Sequence, residues 1–242
     1  MKADIYAQGV ATRLEGPLLF LKRTVNVGLN EAVEVEDGQG NVRLGRISAI
    51  DEDSMVIEVL ESTAGLGLDD TRVRFLGEPL TFAVGPEVQG RIFDGVGRVI
   101  DGGPPVPVEQ YLHIEGLPMN PASRARPTDF IETGVSSIDI MNSLVRGQKL
   151  PIFSGAGLPH DQLAIQIAQQ AHLRKRGEED TANSSSDDFA LVFVAIGVPY
   201  DSAERFRLAM EASGALEHSI VFLNLASDSV SYTHLTLPTI TE

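Results

Sequence analysis

The stretch Ser154–Ala164, SGAGLPHDQLA, stands between the apolar run Lys149–Phe153 (KLPIF) and the helix-forming segment Ile165–Leu173 (IQIAQQAHL). Apolar strand, glycine loop, helix is the layout of a phosphate-cradling loop, in which backbone N–H groups and a helix N-terminus face an anion. A working loop of this kind reads G-x-x-x-x-G-K-[ST]; the Lys bridges the terminal phosphates and the hydroxyl holds magnesium. Laid on that pattern, Ser154 falls at the first Gly, Pro159 at the second, His160 at the Lys and Asp161 at the Ser/Thr. Gly155 and Gly157, with Ala156 and Leu158 between and after them, are left to form the tight turn. Pro159 removes an N–H donor. His160, with a reference pKa of about 6.5, is mostly neutral at pH 7 and does not replace a permanent ammonium. Asp161 would set a carboxylate beside phosphate oxygens; its more comfortable role is N-cap of the following helix. Ser154, Gly155, Ala156, Gly157, Leu158, Pro159, His160 and Asp161 are therefore read as a degenerate nucleotide loop, compatible with weak binding and not with rapid phosphoryl transfer. No catalytic residue and no metal-ligand set is assigned. A plain left-handed glycine turn joining strand to helix is the alternative that the loop alone leaves open.

Around the loop, the pattern predicts a helix over residues 161–174 and a short buried strand in KLPIFSG. Ahead of it, Ile138, Met141, Leu144 and Val145 recur at helical spacing. After it comes the polar hinge RKRGEEDTANSSSDD, then FALVFVAIG, a continuous apolar run expected of a parallel strand covered on both faces. The run DSAERFRLAMEASGAL reads as an amphipathic helix with Phe206, Met210 and Leu208 on its apolar side and Gly214 at its end. A third buried strand, SIVFLNLAS, follows. Strands alternating with helices read as a doubly wound α/β domain, and three strands are too few to complete one.

The first third of the chain reads as β. PLLFLKR, EAVEVED, NVRLGRISAI, SMVIEVLE and TRVRFLG are short runs rich in Val, Ile and Leu, separated by turn signals. Asp37-Gly38 and Gly40-Asn41 between two of them signal a hairpin. Five such strands suggest a small barrel or sandwich. Between the two parts, dense Gly and Pro mark a long connector laid over a folded surface. The fold class is thus α+β multidomain: a small N-terminal β-barrel (1–76), a Gly/Pro-rich connector packed on the α/β domain (77–130) and an incomplete P-loop-type α/β nucleotide-binding domain (131–228). A tail (229–242), where Thr233, Thr236, Thr239, Thr241 and Pro238 disfavour the expected crossover helix, is read as non-native.

Composition narrows the functional classes. The 242 residues carry a formal net charge of −15, no Cys and no Trp, and are only 6% aromatic. Such a chain is repelled by nucleic acid and anionic membrane, and lacks the rings of a base-stacking platform. Thiolate metal sites and disulfides are excluded. No run of about 18 apolar residues offers a membrane span, and the N-terminus has no apolar segment of signal-peptide length. His113, His172, His218 and His234 have no metal-ligand spacing. Asp94 and Asp101 follow turn chemistry. Arg124, Arg126, Arg146 and Lys149 read as surface, paired or interface groups, and Asn183 in NSS as a polar loop residue.

TGVSSIDIMNSLVRGQKLPIFSGAGLPHDQLAIQIAQQA resembles the B subunits of vacuolar/archaeal-type rotary ATPases, as do GRIFDGVGRVIDGGP, ASRARPTDFIETG, FVAIGV and GALEHSIVFLNLASD, in order. The resemblance covers residues 1 to about 228; SVSYTHLTLPTITE lies outside it. It implies an N-terminal β-barrel followed by a nucleotide-binding domain. It also implies a non-catalytic, regulatory subunit alternating with catalytic A subunits in a hexameric head, with central shaft and peripheral stalk as further partners. Such a head lies on the cytoplasmic side, peripheral to the membrane, and couples ATP synthesis or hydrolysis to proton or sodium transport. ATP or ADP with magnesium at the interfaces of the head is implied as well; nucleic acid and membrane insertion are not. The competing readings are a self-standing degenerate P-loop NTPase working with His160, and a nucleic-acid motor of related core, which the charge disfavours.

Overall fold

The computed structural model describes residues 5–8, 11–107, 110–116, 122, 129–174 and 190–228. Arg124, Arg126, Asn183, His234, most of the polar hinge and the tail 229–242 lie outside the described residues.

The N-terminal part is built from β1 (Ile5–Gln8), β2 (Ala11–Glu15), β3 (Leu18–Lys22), β4 (Glu31–Glu36), β5 (Val42–Ile50), β6 (Ser54–Val59) and β7 (Arg72–Pro79). They form one sheet in the order β1-β7-β4-β5-β6-β3-β2. β1 and β2 are consecutive in the chain, yet one pairs with β7 and the other with β3 at opposite ends of that order. One run of chain therefore joins the two edges, and the sheet closes into a barrel; closure removes the unpaired edges an open sheet would expose. Alternation fills the inside. Leu19, Leu21, Val33, Val35, Ile47, Ile57, Val59 and Val73 are buried in one cluster. Outward residues pair across strands: Glu34 with Arg74 between β4 and β7, and Arg46 with Glu58 at 2.9 Å between β5 and β6. The expected five strands are present; the two that the apolar pattern did not mark, β1 and β2, carry the closure.

The β4–β5 hairpin turns at Asp37, as the Asp-Gly and Gly-Asn signals predict. Asp37 Oδ1 accepts the N–H groups of Gln39 and Asn41, both at 2.9 Å, and Oδ2 accepts the Asn41 amide and Arg43. The Asn41 side chain and backbone, ahead of Arg43, hold this carboxyl far below the usual carboxylate range.

The connector carries real strands: β8 (Thr81–Val84), β9 (Ile92–Asp94) and β10 (Gln110–His113), with β8 and β10 paired antiparallel. β9 joins the sheet of the second domain. That sheet runs β14 (Leu191–Val198), β15 (Ser219–Leu225), β9, all parallel. Turn chemistry fixes the connector on either side of β9. Asp94 Oδ1 accepts N–H groups from Val96 and Arg98, at 2.9 and 2.8 Å. Asp101 accepts Arg91 through Nε (2.6 Å) and Nη2 (3.0 Å) and the N–H groups of Ile92 and Gly103. Two contacts tie this segment to its surroundings. Arg98 grips Glu61 of the barrel with both Nη atoms, at 2.5 and 2.8 Å. Phe82 stands edge-on to Phe93, which stacks on Phe222 at 5.3 Å between centroids.

A second small antiparallel sheet joins β11 (Phe130–Glu132) to β12 (Leu144–Val145) and β13 (His172–Arg174). The helices are α1 (Ser136–Met141), α2 (His160–Gln170) and α3 (Tyr200–Ser213). Gly214 ends α3 in the left-handed conformation at φ 74°, as its position predicts.

Five local expectations are corrected. KLPIFSG forms no strand and is not buried: Ile152 is 50% and Phe153 92% exposed. The helix expected over 161–174 stops at Gln170, because Ala171 turns extended and His172–Arg174 pair with β11. Leu144 and Val145 belong to β12 for the same reason, so the helical spacing from Ile138 ends at Met141. Among the described residues, β14 is covered on one face only. Both α2 and α3 pack on the side of Phe193, Ala195, Val221 and Leu223, which leaves Val192, Val194 and Ile196 on the opposite face 37–47% exposed. On α3, Phe206 and Met210 are buried as expected, whereas Leu208 faces solvent.

Candidate functional site: the glycine loop at the start of α2

The loop lies on the surface. Residues Ser154 through His160 are all exposed. Gly157 takes φ 83°, a conformation that costs any residue with a Cβ about 1–2 kcal/mol, which is why glycine stands there. Leu158 N–H donates to Gly155 O at 3.3 Å, and His160 N–H to Leu158 O at 2.9 Å. The N–H groups of Gly155, Ala156, Gly157, Asp161 and Gln162 meet no acceptor among the described residues. They are the orphan donors expected of a loop feeding a helix, and they are open to solvent or to an anion.

His160 stands where the phosphate-loop pattern places lysine. It is half exposed; its Nδ1 lies 3.3 Å from Ser154 Oγ and its Nε2 3.5 Å from Asp161 Oδ1. Asp161 does not cap the helix. The cap position is Pro159, with no side-chain cap bond, and the Asp161 carboxylate turns toward α3. There Oδ2 accepts Ser202 Oγ at 2.9 Å and Arg205 Nη2 at 3.2 Å, and the same Nη2 donates to Ser202 Oγ at 2.8 Å. Oδ2 is thus held against α3 and paired with Arg205, while Oδ1 stays 3.5 Å from His160 Nε2. Sequence reasoning missed Ser202 and Arg205. They stand 41 and 44 residues from Asp161 and no motif links them.

α2 is held from several sides. Ala164, Ile165 and Ala168 pack against the core formed by Ile92, Ala203, Phe206, Met210, Val221 and Leu223. Gln169 Nε2 donates to Ala209 O at 3.0 Å. At its far end a Cβ on Gly134, whose φ is 73°, would meet the Gln170 side chain at 2.1 Å. Asp139, within α1, accepts the N–H (2.9 Å) and hydroxyl (2.8 Å) of Thr133, which precedes the helix, and this lowers its pKa. The loop therefore leads into a helix seated on a parallel sheet, with its unpaired donors outward.

Of the other candidates, Arg146 donates its N–H to Asp129 O and sits at a turn, while Lys149 is exposed. His172 lies 3.5 Å from Glu132, at a β pairing rather than at the loop. Among the described residues no group of three or more His, Asp or Glu side chains is arranged to hold a metal ion, and no helix is long and apolar enough to cross a membrane.

A closed barrel followed by a loop-helix on a parallel sheet defines a class. Residues 12–77 match the beta-barrel domain, and residues 134–241 the nucleotide-binding domain, of the ATP synthase alpha/beta family. The chain belongs to that family. Within it, the chain is similar to the B subunit of the V-type proton ATPase from Encephalitozoon cuniculi (strain GB-M1), with 46% identity over 215 residues. That similarity takes in 89% of this chain and 45% of the relative, so the chain spans about half the relative's length. The resemblance read from the motifs holds at both levels. The nucleotide-binding match runs to residue 241 and so takes in the tail that the motifs set apart.

Proposed function

We propose that this chain is a B-type, non-catalytic subunit of a vacuolar-type rotary ATPase. It alternates with catalytic A subunits in the soluble head, contacts the central shaft and peripheral stalk, and works from the cytoplasmic face without entering the membrane. The complex couples ATP synthesis or hydrolysis to proton or sodium transport. One observation carries the non-catalytic part of this reading. The lysine position of the loop is His160, and the hydroxyl position is Asp161, whose carboxylate is bound to Ser202 and Arg205. Without a fixed ammonium or a magnesium-holding hydroxyl, the loop has no permanent cation and no metal-holding group to stabilise charge developing on a transferring phosphoryl.

The residues fit the phosphate of a nucleotide and not the phosphoryl-transfer chemistry. The N–H groups of Gly155, Ala156, Gly157 and the first turn of α2 would hold it, as an anion is held at other helix N-termini. A bound ADP or ATP would supply the anion that neutralises these donors and so would order an interface with a neighbouring chain.

The test is ATP hydrolysis by the full-length protein, alone and with a purified A subunit. Turnover is expected only in the mixed complex. Hydrolysis by the full-length protein alone at about 1 per second or faster, abolished by His160→Ala, would establish the self-standing NTPase instead.

A further inference from the structure

Asp161 presents a problem that the rest of the site does not solve. An aspartate in the first turn of a helix ordinarily turns its carboxylate to the unpaired N–H groups of that turn, where hydrogen bonding and the helix dipole both favour it. Those are the donors that a phosphate on this loop needs. A free Asp161 carboxylate would therefore act as a ligand already in place, competing for the donors and repelling the anion.

The structure shows Oδ2 of the carboxylate turned to α3, with Oδ1 3.5 Å from His160 Nε2. Oδ2 is taken by Ser202 Oγ and Arg205 Nη2, and these two are bonded to each other at 2.8 Å. Ser202 is 7% exposed, and its place at the start of α3 is fixed by its own N–H, which donates to Pro199 O at 3.0 Å. The N–H groups of Asp161 and Gln162 are left without an acceptor among the described residues.

We infer that Ser202 and Arg205 are positioning residues: they hold the Asp161 carboxylate against α3, so that the first-turn N–H groups of α2 stay open to a nucleotide phosphate. The inference rests on the reading of the loop as a nucleotide site and names what controls that site. Ser202 supplies the short bond from a buried position. Arg205, whose side chain is 62% exposed, adds charge compensation. The arrangement makes α3 a regulator of the loop, since any displacement of its first turn releases the carboxylate.

The experiment uses the full chain and two measurements. ADP binding is titrated by calorimetry for the wild type, for Ser202→Ala/Arg205→Ala, and for that double variant with Asp161→Asn added. Amide hydrogen exchange at residues 161 and 162 is followed in the same proteins without ADP. The expected result is that Ser202→Ala/Arg205→Ala weakens ADP binding by about three- to tenfold, the size of one partly screened like-charge contact, and slows exchange at 161 and 162. Asp161→Asn then returns both toward wild type. A helix merely loosened by the two substitutions would not be rescued by neutralising Asp161. If wild type binds ADP and Ser202→Ala/Arg205→Ala binds equally well with unchanged exchange, the inference is overturned and the nucleotide reading stands. If wild type binds no ADP while exchange changes as described, the nucleotide reading falls and the hold on Asp161 stands.

Discussion

Asp101 offers a measurable link between charge and the sheet that carries the loop. It anchors β9 by accepting a forked pair of bonds from Arg91 and the N–H groups of Ile92 and Gly103, and its side chain is 17% exposed. The Arg91 bonds first, then the two backbone donors, outweigh burial and bring its carboxyl down to about 2. An unfolded aspartate titrates near 3.9, so the ionised form stabilises the fold by about 2 kcal/mol at neutral pH. Because the folded value is the lower one, this contribution is complete above the unfolded pKa and fades as pH falls toward 2. At pH 3 about 1 kcal/mol of it has gone. Asp101→Asn keeps the shape and removes the charge. Urea unfolding followed by far-UV circular dichroism is expected to show Asp101→Asn less stable than wild type by about 2 kcal/mol at pH 7. The gap is expected to narrow by about 1 kcal/mol at pH 3. A gap of the same size at both pH values would refute the electrostatic account and leave only shape as the cause.

Two further outcomes follow from named contacts. His160→Lys places a permanent ammonium beside the loop donors and is expected to tighten ADP binding by roughly tenfold, with no ATP turnover because Pro159 and Asp161 remain; turnover appearing with this one change would show that the lysine alone was missing. Gly97→Ala puts a Cβ at 2.9 Å from the Phe82 ring in a residue at φ 83°; a loss of about 2 kcal/mol or more is expected in urea unfolding, and a neutral result would mean the Phe82–Phe93 contact yields freely.

Much of the barrel was legible because alternation of Val, Leu and Ile with charged residues has one good solution, a sheet with one wet and one dry face. The β4–β5 turn was legible for a local reason too: Asp37 serves its own hairpin. The failures lie where a segment's partner is distant in sequence. His172–Arg174 continue a helical pattern and become a strand because Phe130–Glu132 stand beside them. KLPIF has the composition of a buried strand, but burial is decided by what covers a segment, and here Phe153 is 92% exposed. The closure strands β1 and β2 carry little apolar signal, since their place comes from pairing with β7 and β3.

The site divides in the same way. Residue types at Ser154–Asp161 sufficed to show that the loop carries no permanent cation, because charge is a property of the side chain and needs no fold. The same letters placed Asp161 as a helix cap, which it is not. Its direction is set by Ser202 and Arg205, brought within 3.2 Å by the packing of α2 and α3 on one face of a parallel sheet. Sequence by itself determined which charges the loop possesses; tertiary structure decided where they point, because a carboxylate goes to the nearest strong donors and only the packed helices determine which those are.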